Sequence, residues 1–187
     1  MKILALVVAL ALVVAAGAGF VWYLDPFGSD SDDEVDLSAL TGEFQGSACR
    51  QVAGIAAGLA VREPELSPVG FLRSFGRQVA GIRNPPRAYG DLARGGTNEV
   101  PGKGFLERVD DGTIGQSRHF AGIVAASTFG GGQATRLISI FARRDPLTTP
   151  DGQLTEDGIA FAEGVLGGDL GLDETPQWIL DNLCRRK

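Results

Sequence analysis

The side chain best suited to acid–base chemistry is the single histidine, His119. Imidazole exchanges a proton near neutral pH, which makes it the first candidate for a general base. Arg118 precedes it and carries a guanidinium group that can hold an anion. Asp145, Asp157 or Glu163 would orient the imidazole if the fold brought one of them close. One hypothesis is therefore a cell-envelope hydrolase with His119 and Arg118 as catalytic residues.

The competing interpretation is a structural histidine at the edge of a helical core, because Phe120 and Ile123 follow it at helical spacing. One histidine and two distant cysteines cannot form a standard zinc site. The sequence has no G-x-S-x-G elbow, no phosphate-binding loop and no G-x-G-x-x-G motif. We therefore expect no metal and no cofactor.

The two cysteines, Cys49 and Cys184, lie near the ends of the segment that follows the acidic stretch. Outside the cytoplasm, a disulfide between them is chemically allowed and would close a very long loop. The alternative is two buried free thiols. We predict the disulfide if this segment is exported.

Arginine is concentrated in residues 71–94, which contain a single acidic residue, Asp91. Residues 145–181, in contrast, contain acidic side chains and no basic one. One interpretation is a basic patch for an anionic polymer or lipid headgroups; the other is two solvated or mutually paired faces. The predicted patch comprises Arg73, Arg77, Arg83 and Arg87.

The formal charge of −6 belongs to the start of the chain. Seven of the 23 acidic residues and one of the 17 basic residues fall in positions 1–44, so that the remaining 143 residues carry 16 of each. A neutral domain lacks the net basic footprint of a nucleic-acid-binding protein. We therefore expect no nucleic-acid partner.

An uncharged run at residues 3–24 is long enough to cross a bilayer as a helix. It ends in Phe20, Trp22 and Tyr23, aromatic residues typical of the membrane interface. Residues 1–24 are therefore predicted to be a transmembrane anchor that contacts lipid through residues 3–24. The alternative is a cleaved signal peptide, because Ala16-Gly17-Ala18 resembles a cleavage site.

The flanks of this run predict its orientation. Lys2 precedes it, whereas an acidic stretch without a base follows it. The positive-inside rule then places the amino terminus in the cytoplasm and the rest of the chain outside. Residues 25–46 are predicted to be an acidic linker, and residues 47–187 one extracytoplasmic domain.

The domain is predicted to be all-α, because apolar residues recur at helical spacing and no useful stretch alternates with period two. We expect five or six short helices joined by long Gly/Pro-rich loops. Residues 84–115 are predicted to be loop, with a helical turn near Val109, and Thr155 is predicted to cap a helix. The other predicted helices cover residues 48–61, 67–82, 113–129, 133–144 and a last segment that opens at Thr175-Pro176.

Together these features predict a single-pass membrane protein whose helical domain binds or scaffolds a partner outside the cytoplasm. The hydrolase is the second hypothesis. The third is a secreted soluble domain released by signal cleavage.

Overall fold

The computed structural model describes residues 44–140 and 146–186, all of which belong to one compact unit, Val35–Lys187. The described residues are all-helical, as predicted: they form six α helices, two short 3₁₀ helices (Glu107–Val109 and Leu172–Glu174) and no strand beyond one isolated bridge between Phe105 and Cys184. The α helices are α1 (Ala48–Arg62), α2 (Pro68–Ala80), α3 (Arg87–Arg94), α4 (Gln116–Ile138), α5 (Pro150–Gly167) and α6 (Thr175–Leu183).

The first two helices have the boundaries that their sequence signals indicate. Ser67 caps α2 by accepting a hydrogen bond from the Gly70 backbone N–H, and Pro68 occupies the first helical position. Gly81 ends α2 with a φ of 61°, a left-handed conformation that glycine adopts without a steric penalty. Local capping chemistry is therefore sufficient to delimit this helix.

The prediction that residues 84–115 are loop was wrong for Arg87–Arg94, which form α3. The segment follows Asn84-Pro85-Pro86 and contains Gly90, which are loop signals in sequence. It folds because Ala88 and Asp91 are buried against the rest of the domain. Tertiary contacts thus override a poor local propensity. The helical turn predicted near Val109 is present as a 3₁₀ helix.

The two helices predicted at residues 113–129 and 133–144 are separated, as expected, by a break within α4. Gly131 has φ 72° and ψ 168°, well outside helical values. Its carbonyl oxygen accepts a hydrogen bond from the Thr135 hydroxyl group, which supports the start of the second segment. That segment continues to Ile138, and residues 141–144 of the predicted helix lie outside the described residues.

The predicted cap of α5 was wrong. Thr149 caps this helix by accepting from the Gly152 backbone N–H, and Pro150 occupies its first turn. Thr155, the predicted cap, lies within the helix and is buried. The Thr-Pro pair at 149–150 is the same start signal as Ser67-Pro68, and the acidic residues after Thr155 obscured it.

Four helices meet in an aromatic cluster at the centre of the domain. Phe75 of α2 packs edge-to-face on Phe120 of α4, with ring centroids 6.0 Å apart. Phe161 of α5 contacts both rings, and Trp178 of α6 packs on Phe161 in a tilted arrangement, with ring centroids 5.2 Å apart. Such aromatic pairs contribute about 0.5–1.5 kcal/mol each beyond the area they bury. The cluster fixes α2, α4, α5 and α6 around one core.

Close packing of α2 against α4 depends on Gly76. A Cβ atom at this position would lie 2.6 Å from the Cβ atom of Ala125, which is attached directly to the α4 backbone. A methyl group so close to a rigid helix cannot be accommodated by a side-chain rotation. The glycine is therefore required by the distance between the two helices.

The expected consequence is that Gly76→Ala lowers the free energy of unfolding by about 1–3 kcal/mol, because the two helices must separate. Gly122→Ala is the matched control, since Gly122 also lies in a helix and a Cβ atom there would meet no atom within 4 Å. Its higher helix propensity should stabilise the domain by roughly 0.5–1 kcal/mol. Urea unfolding of both variants measures the difference, and equal stabilities would contradict this account of Gly76.

The predicted transmembrane anchor at residues 3–24 lies outside the described residues. Among residues 44–140 and 146–186, no helix combines the length and apolar character needed to cross a bilayer.

Candidate functional site

A disulfide joins the start of the domain to its end. Cys49 and Cys184 are bonded, with their Cα atoms 5.5 Å apart and a sequence separation of 135. Three further bonds hold the C-terminal segment beside the loop around Phe105: Leu106 N–H donates to Leu183 O, Arg185 N–H to Gly104 O, and the Arg185 Nε–H to Phe105 O. The first turn of α1, this loop and the C-terminal segment therefore meet at one junction.

An open cleft of about 500 Å³ lies at this junction. Among the described residues that line it, three are arginines and none is acidic. Arg50 follows Cys49 in the chain, whereas Arg185 and Arg186 follow Cys184. The lining consists of Gln45, Gly46, Ser47, Arg50, Gly104, Arg185 and Arg186.

His119 lies between α4 and α5, with its side chain about 10% exposed. Its Nε2 atom is 2.9 Å from the Thr155 Oγ1 atom, which in turn lies 3.0 Å from the Ser139 Oγ atom. Both hydroxyl-bearing residues are 1% exposed. The imidazole therefore contacts a hydroxyl group that solvent does not reach.

The carboxylate nearest to His119 among the described residues is Asp151, in the first turn of α5. Its Oδ2 atom is 3.9 Å from His119 Nδ1, which is too long for a hydrogen bond. Its Oδ1 atom accepts from the Gln116 side-chain amide at 3.3 Å. The order carboxylate, imidazole, hydroxyl is that of a hydrolytic triad, although here the hydroxyl group is enclosed.

The other residues predicted to assist His119 lie elsewhere. Arg118 is exposed on α4. Asp157 accepts a 2.7 Å hydrogen bond from Arg108, and its pKa is raised because burial outweighs the attraction of that guanidinium group. Glu163 lies against Gly132, and Asp145 is outside the described residues. The structure therefore does not bring Arg118, Asp157 or Glu163 to the imidazole.

The predicted basic patch is divided among separate contacts. Arg73 stacks on Phe129, 4.8 Å from the ring centroid, and donates to the Thr128 hydroxyl group. Arg83 donates to the buried Asp91 through its backbone N–H, its Nε–H and its terminal nitrogen. Arg77 is half-buried and Arg87 is exposed. Arg83 thus forms a structural ion pair with Asp91, which connects α3 to the segment after α2.

Comparison with known proteins gives no match: no family model, no curated protein and no solved structure matches this chain. Within the described part of the chain, no cluster of three or more His, Cys, Asp or Glu side chains could hold a metal ion.

The cleft arginines were missed because the sequence was searched for arginines close together along the chain. The available signal was the residue after each cysteine: Cys49 is followed by Arg50, and Cys184 by Arg185 and Arg186. A disulfide necessarily brings its flanking residues together, since its Cα atoms lie within about 7 Å. Predicting the disulfide was therefore sufficient to predict a cluster of three arginines.

Asp91 provides a test of the ion pair. The hydrogen bonds from Arg83 hold the pKa of this carboxyl group well below its usual range, even though burial opposes them. Asp91→Asn should lower the free energy of unfolding at neutral pH by roughly 2 kcal/mol, because hydrogen bonds to charged groups contribute about 1.5–3 kcal/mol and both arginine partners are solvent-accessible. Asp169→Asn, at an exposed carboxylate, is the control.

The effect should depend on pH. Because the pKa of Asp91 is lower in the folded state, its stabilising contribution is complete above the unfolded-state pKa of about 4 and is lost as the pH falls below that value. Chemical denaturation across acidic pH should show wild type and Asp91→Asn converging below about pH 4. A constant difference in stability would contradict the ion-pair account.

Proposed function

We propose that this chain is a single-pass membrane-anchored protein whose helical domain binds a partner outside the cytoplasm. The apolar run at residues 3–24 supplies the anchor, and the acidic residues 25–46 link it to the domain. The run and most of the linker lie outside the described residues, so the anchor is inferred from sequence alone.

The Cys49–Cys184 disulfide carries the proposal. Disulfides persist in oxidising compartments and are rare where thiols are kept reduced. Since the described residues contain no free cysteine, the domain has no thiol left for redox or nucleophilic chemistry. This observation supports export of the domain, in agreement with the orientation that Lys2 and the acidic flank predict.

Binding is favoured over catalysis because of how His119 is placed. Its Nε2 atom contacts a buried hydroxyl group, and two clefts formed by described residues lie at the disulfide junction. A substrate bound in either cleft would meet arginine, glutamate and aspartate side chains and no histidine.

Fusion of alkaline phosphatase to the C-terminus tests the proposed topology, because this enzyme is active only after export. We expect an active, membrane-bound fusion in a bacterial host. Alkylation and mass analysis of the native chain should show no free thiol and a gain of about 2 Da on reduction. A matched Cys49→Ser/Cys184→Ser variant should show no such gain.

Two outcomes would contradict parts of the proposal. An inactive fusion with two alkylatable thiols would place the domain in a reducing compartment. A soluble mature chain that begins near Gly19 would replace the anchor by a cleaved signal peptide and favour the secreted domain.

A hydrolase remains the second candidate, because the Asp151, His119 and Thr155 side chains follow one another in the order of a catalytic triad. Such an enzyme would use the Thr155 hydroxyl group as nucleophile and His119 as general base. It would also require the side chains that enclose Thr155 to move, since Thr155 is 1% exposed.

Reaction with a fluorophosphonate probe separates the two candidates. For a binding domain we expect no labelling, while Thr155→Val lowers stability by about 1–3 kcal/mol because it removes a buried hydroxyl group that contacts His119 and Ser139. Thr155→Ser retains the hydroxyl group and is the control for stability. Labelling of wild type that is lost in both Thr155→Val and His119→Asn would establish the hydrolase instead.

A further inference from the structure

The two halves of the disulfide differ in how well they are covered. Cys49 is 0% exposed and is not among the residues that line the two clefts at the junction. Cys184 is 3% exposed and lines the larger cleft, of about 750 Å³. A small molecule that enters the larger cleft therefore meets one half of the disulfide and not the other. The other described residues around it are Leu106, Glu107, Asp181, Arg185 and Arg186.

A glycine-containing loop covers the first turn of α1, which includes Cys49. A Cβ atom on Gly102 would lie 3.0 Å from the Ala48 Cβ atom, and one on Gly104 would overlap the Ser47 side chain. The loop backbone thus packs directly on the two residues before Cys49. Helix α6 packs against α1 as well. Cys49 is therefore enclosed, and the larger cleft gives access to Cys184 alone.

Hydrogen bonds on both sides of Cys184 hold it beside Cys49 independently of the covalent bond. The residue before it, Leu183, accepts from the Leu106 N–H, and the residue after it, Arg185, donates its N–H to the Gly104 carbonyl oxygen. The Arg185 side chain adds a hydrogen bond and an ion pair to the same loop. None of these contacts involves sulfur. Opening of the disulfide therefore leaves the two sulfur atoms close together.

We propose that Cys184 is a thiol-exchange site, at which a small thiol opens the disulfide from the larger cleft with Cys49 as the leaving group. The small thiol first loses its proton to solvent, because the thiolate is the nucleophile. A new bond forms between its sulfur and Cys184 Sγ while the bond between the two cysteines breaks. The electron pair of the broken bond moves to Cys49 Sγ, which takes up a proton from solvent. The products are a mixed disulfide on Cys184 and a free thiol on Cys49.

Cys49 then serves as the resolving thiol. Because Cys184 stays in place, the Cys49 thiolate attacks Cys184 Sγ and expels the small thiol, which restores the original bond. Full reduction requires a second small thiol to attack the mixed disulfide first, which releases a symmetrical disulfide of the small thiol and leaves a thiolate on Cys184. The disulfide therefore closes at low thiol concentration and opens at high concentration.

This inference goes beyond the proposed function, because it concerns a reaction of the domain with thiols and not the partner that the domain binds. It is tested on the purified, oxidised chain, so its outcome does not depend on membrane topology. Failure of the fusion experiment and failure of the exchange site are therefore separate results.

The first experiment measures reduction of the full chain, purified in a neutral detergent, by dithiothreitol at low urea concentrations. Alkylation and mass analysis give the fraction reduced with time. Attack on the folded chain predicts a rate that is proportional to dithiothreitol and nearly independent of urea below the unfolding transition. Attack on unfolded molecules predicts a rate that rises with urea in step with the unfolded fraction. The second result would overturn the proposal.

A monothiol identifies the sulfur that is attacked. Wild type is treated briefly with 2-mercaptoethanol and quenched with excess N-ethylmaleimide, and peptide mass analysis locates both adducts. We expect mercaptoethanol on Cys184 and the maleimide on Cys49 at least about ten times as often as the reverse, because exchange follows access to the sulfur. Equal amounts of the two products, or an excess of mercaptoethanol on Cys49, would overturn the proposal.

Glu107→Trp tests whether the thiol enters through the larger cleft. Glu107 is exposed and lines this cleft, so an indole ring there should slow reduction by roughly fivefold or more, since access governs the rate. Asp169→Trp is the matched control, because it adds the same ring and removes one negative charge at an exposed position outside the described lining. Circular dichroism verifies that both variants are folded. Equal reduction rates of wild type and both variants would contradict entry through the cleft.

Cys49→Ser tests the resolving role of Cys49. This variant should keep the mercaptoethanol adduct on Cys184 after the free thiol is removed by gel filtration, whereas wild type should expel it and recover the disulfide. An adduct that persists equally in wild type would contradict the role of Cys49 as resolving thiol.

Discussion

The disulfide between Cys49 and Cys184 holds the start of the domain beside its C-terminal segment. It closes a loop of 135 residues, for which the chain-entropy account gives about 5 kcal/mol of stabilisation. That value is comparable to the whole stability of many domains. The bond also determines surface chemistry, because the residues that follow each cysteine become neighbours. A structural cross-link and a cluster of three arginines are therefore consequences of the same two cysteines.

Packing of the core depends on a different factor, the short distance between the helix backbones. Gly76 faces Ala125, and a Cβ atom on Gly158 would lie 2.8 Å from Ile123 Cγ2. These small residues bring α2 and α5 close to α4, and the close approach allows the rings of Phe75, Phe120 and Phe161 to touch. The high glycine content of the sequence, 27 residues, thus serves helix packing as well as turns.

Helix periodicity and capping chemistry were enough to predict the all-α class and the boundaries of α1 and α2, because those signals act within a few residues. Helix α3 could not be predicted in this way. Its stability comes from Asp91, whose carboxylate accepts from Arg83 and Arg94 across a turn that the local sequence marks as loop. The same contact divided the predicted basic patch, since Arg83 pairs with the only acid in its segment. A count of charges along the chain contains no information on which charges are buried together.

The surroundings of His119 and of the cleft arginines could not be predicted from the sequence either. His119 is the residue type with the most versatile chemistry, yet its chemistry depends on whether its hydroxyl partner meets solvent, and Thr155 is buried. Arginine is a common residue, and nothing in its type singles out Arg50, Arg185 or Arg186. What they share is their place in the fold, because the covalent bond between the two cysteines brings all three arginines to one cleft. Residue type alone singles out the histidine, whereas the burial of Thr155 and the covalent link between the cysteines, which decide what these side chains can contact, depend on the fold.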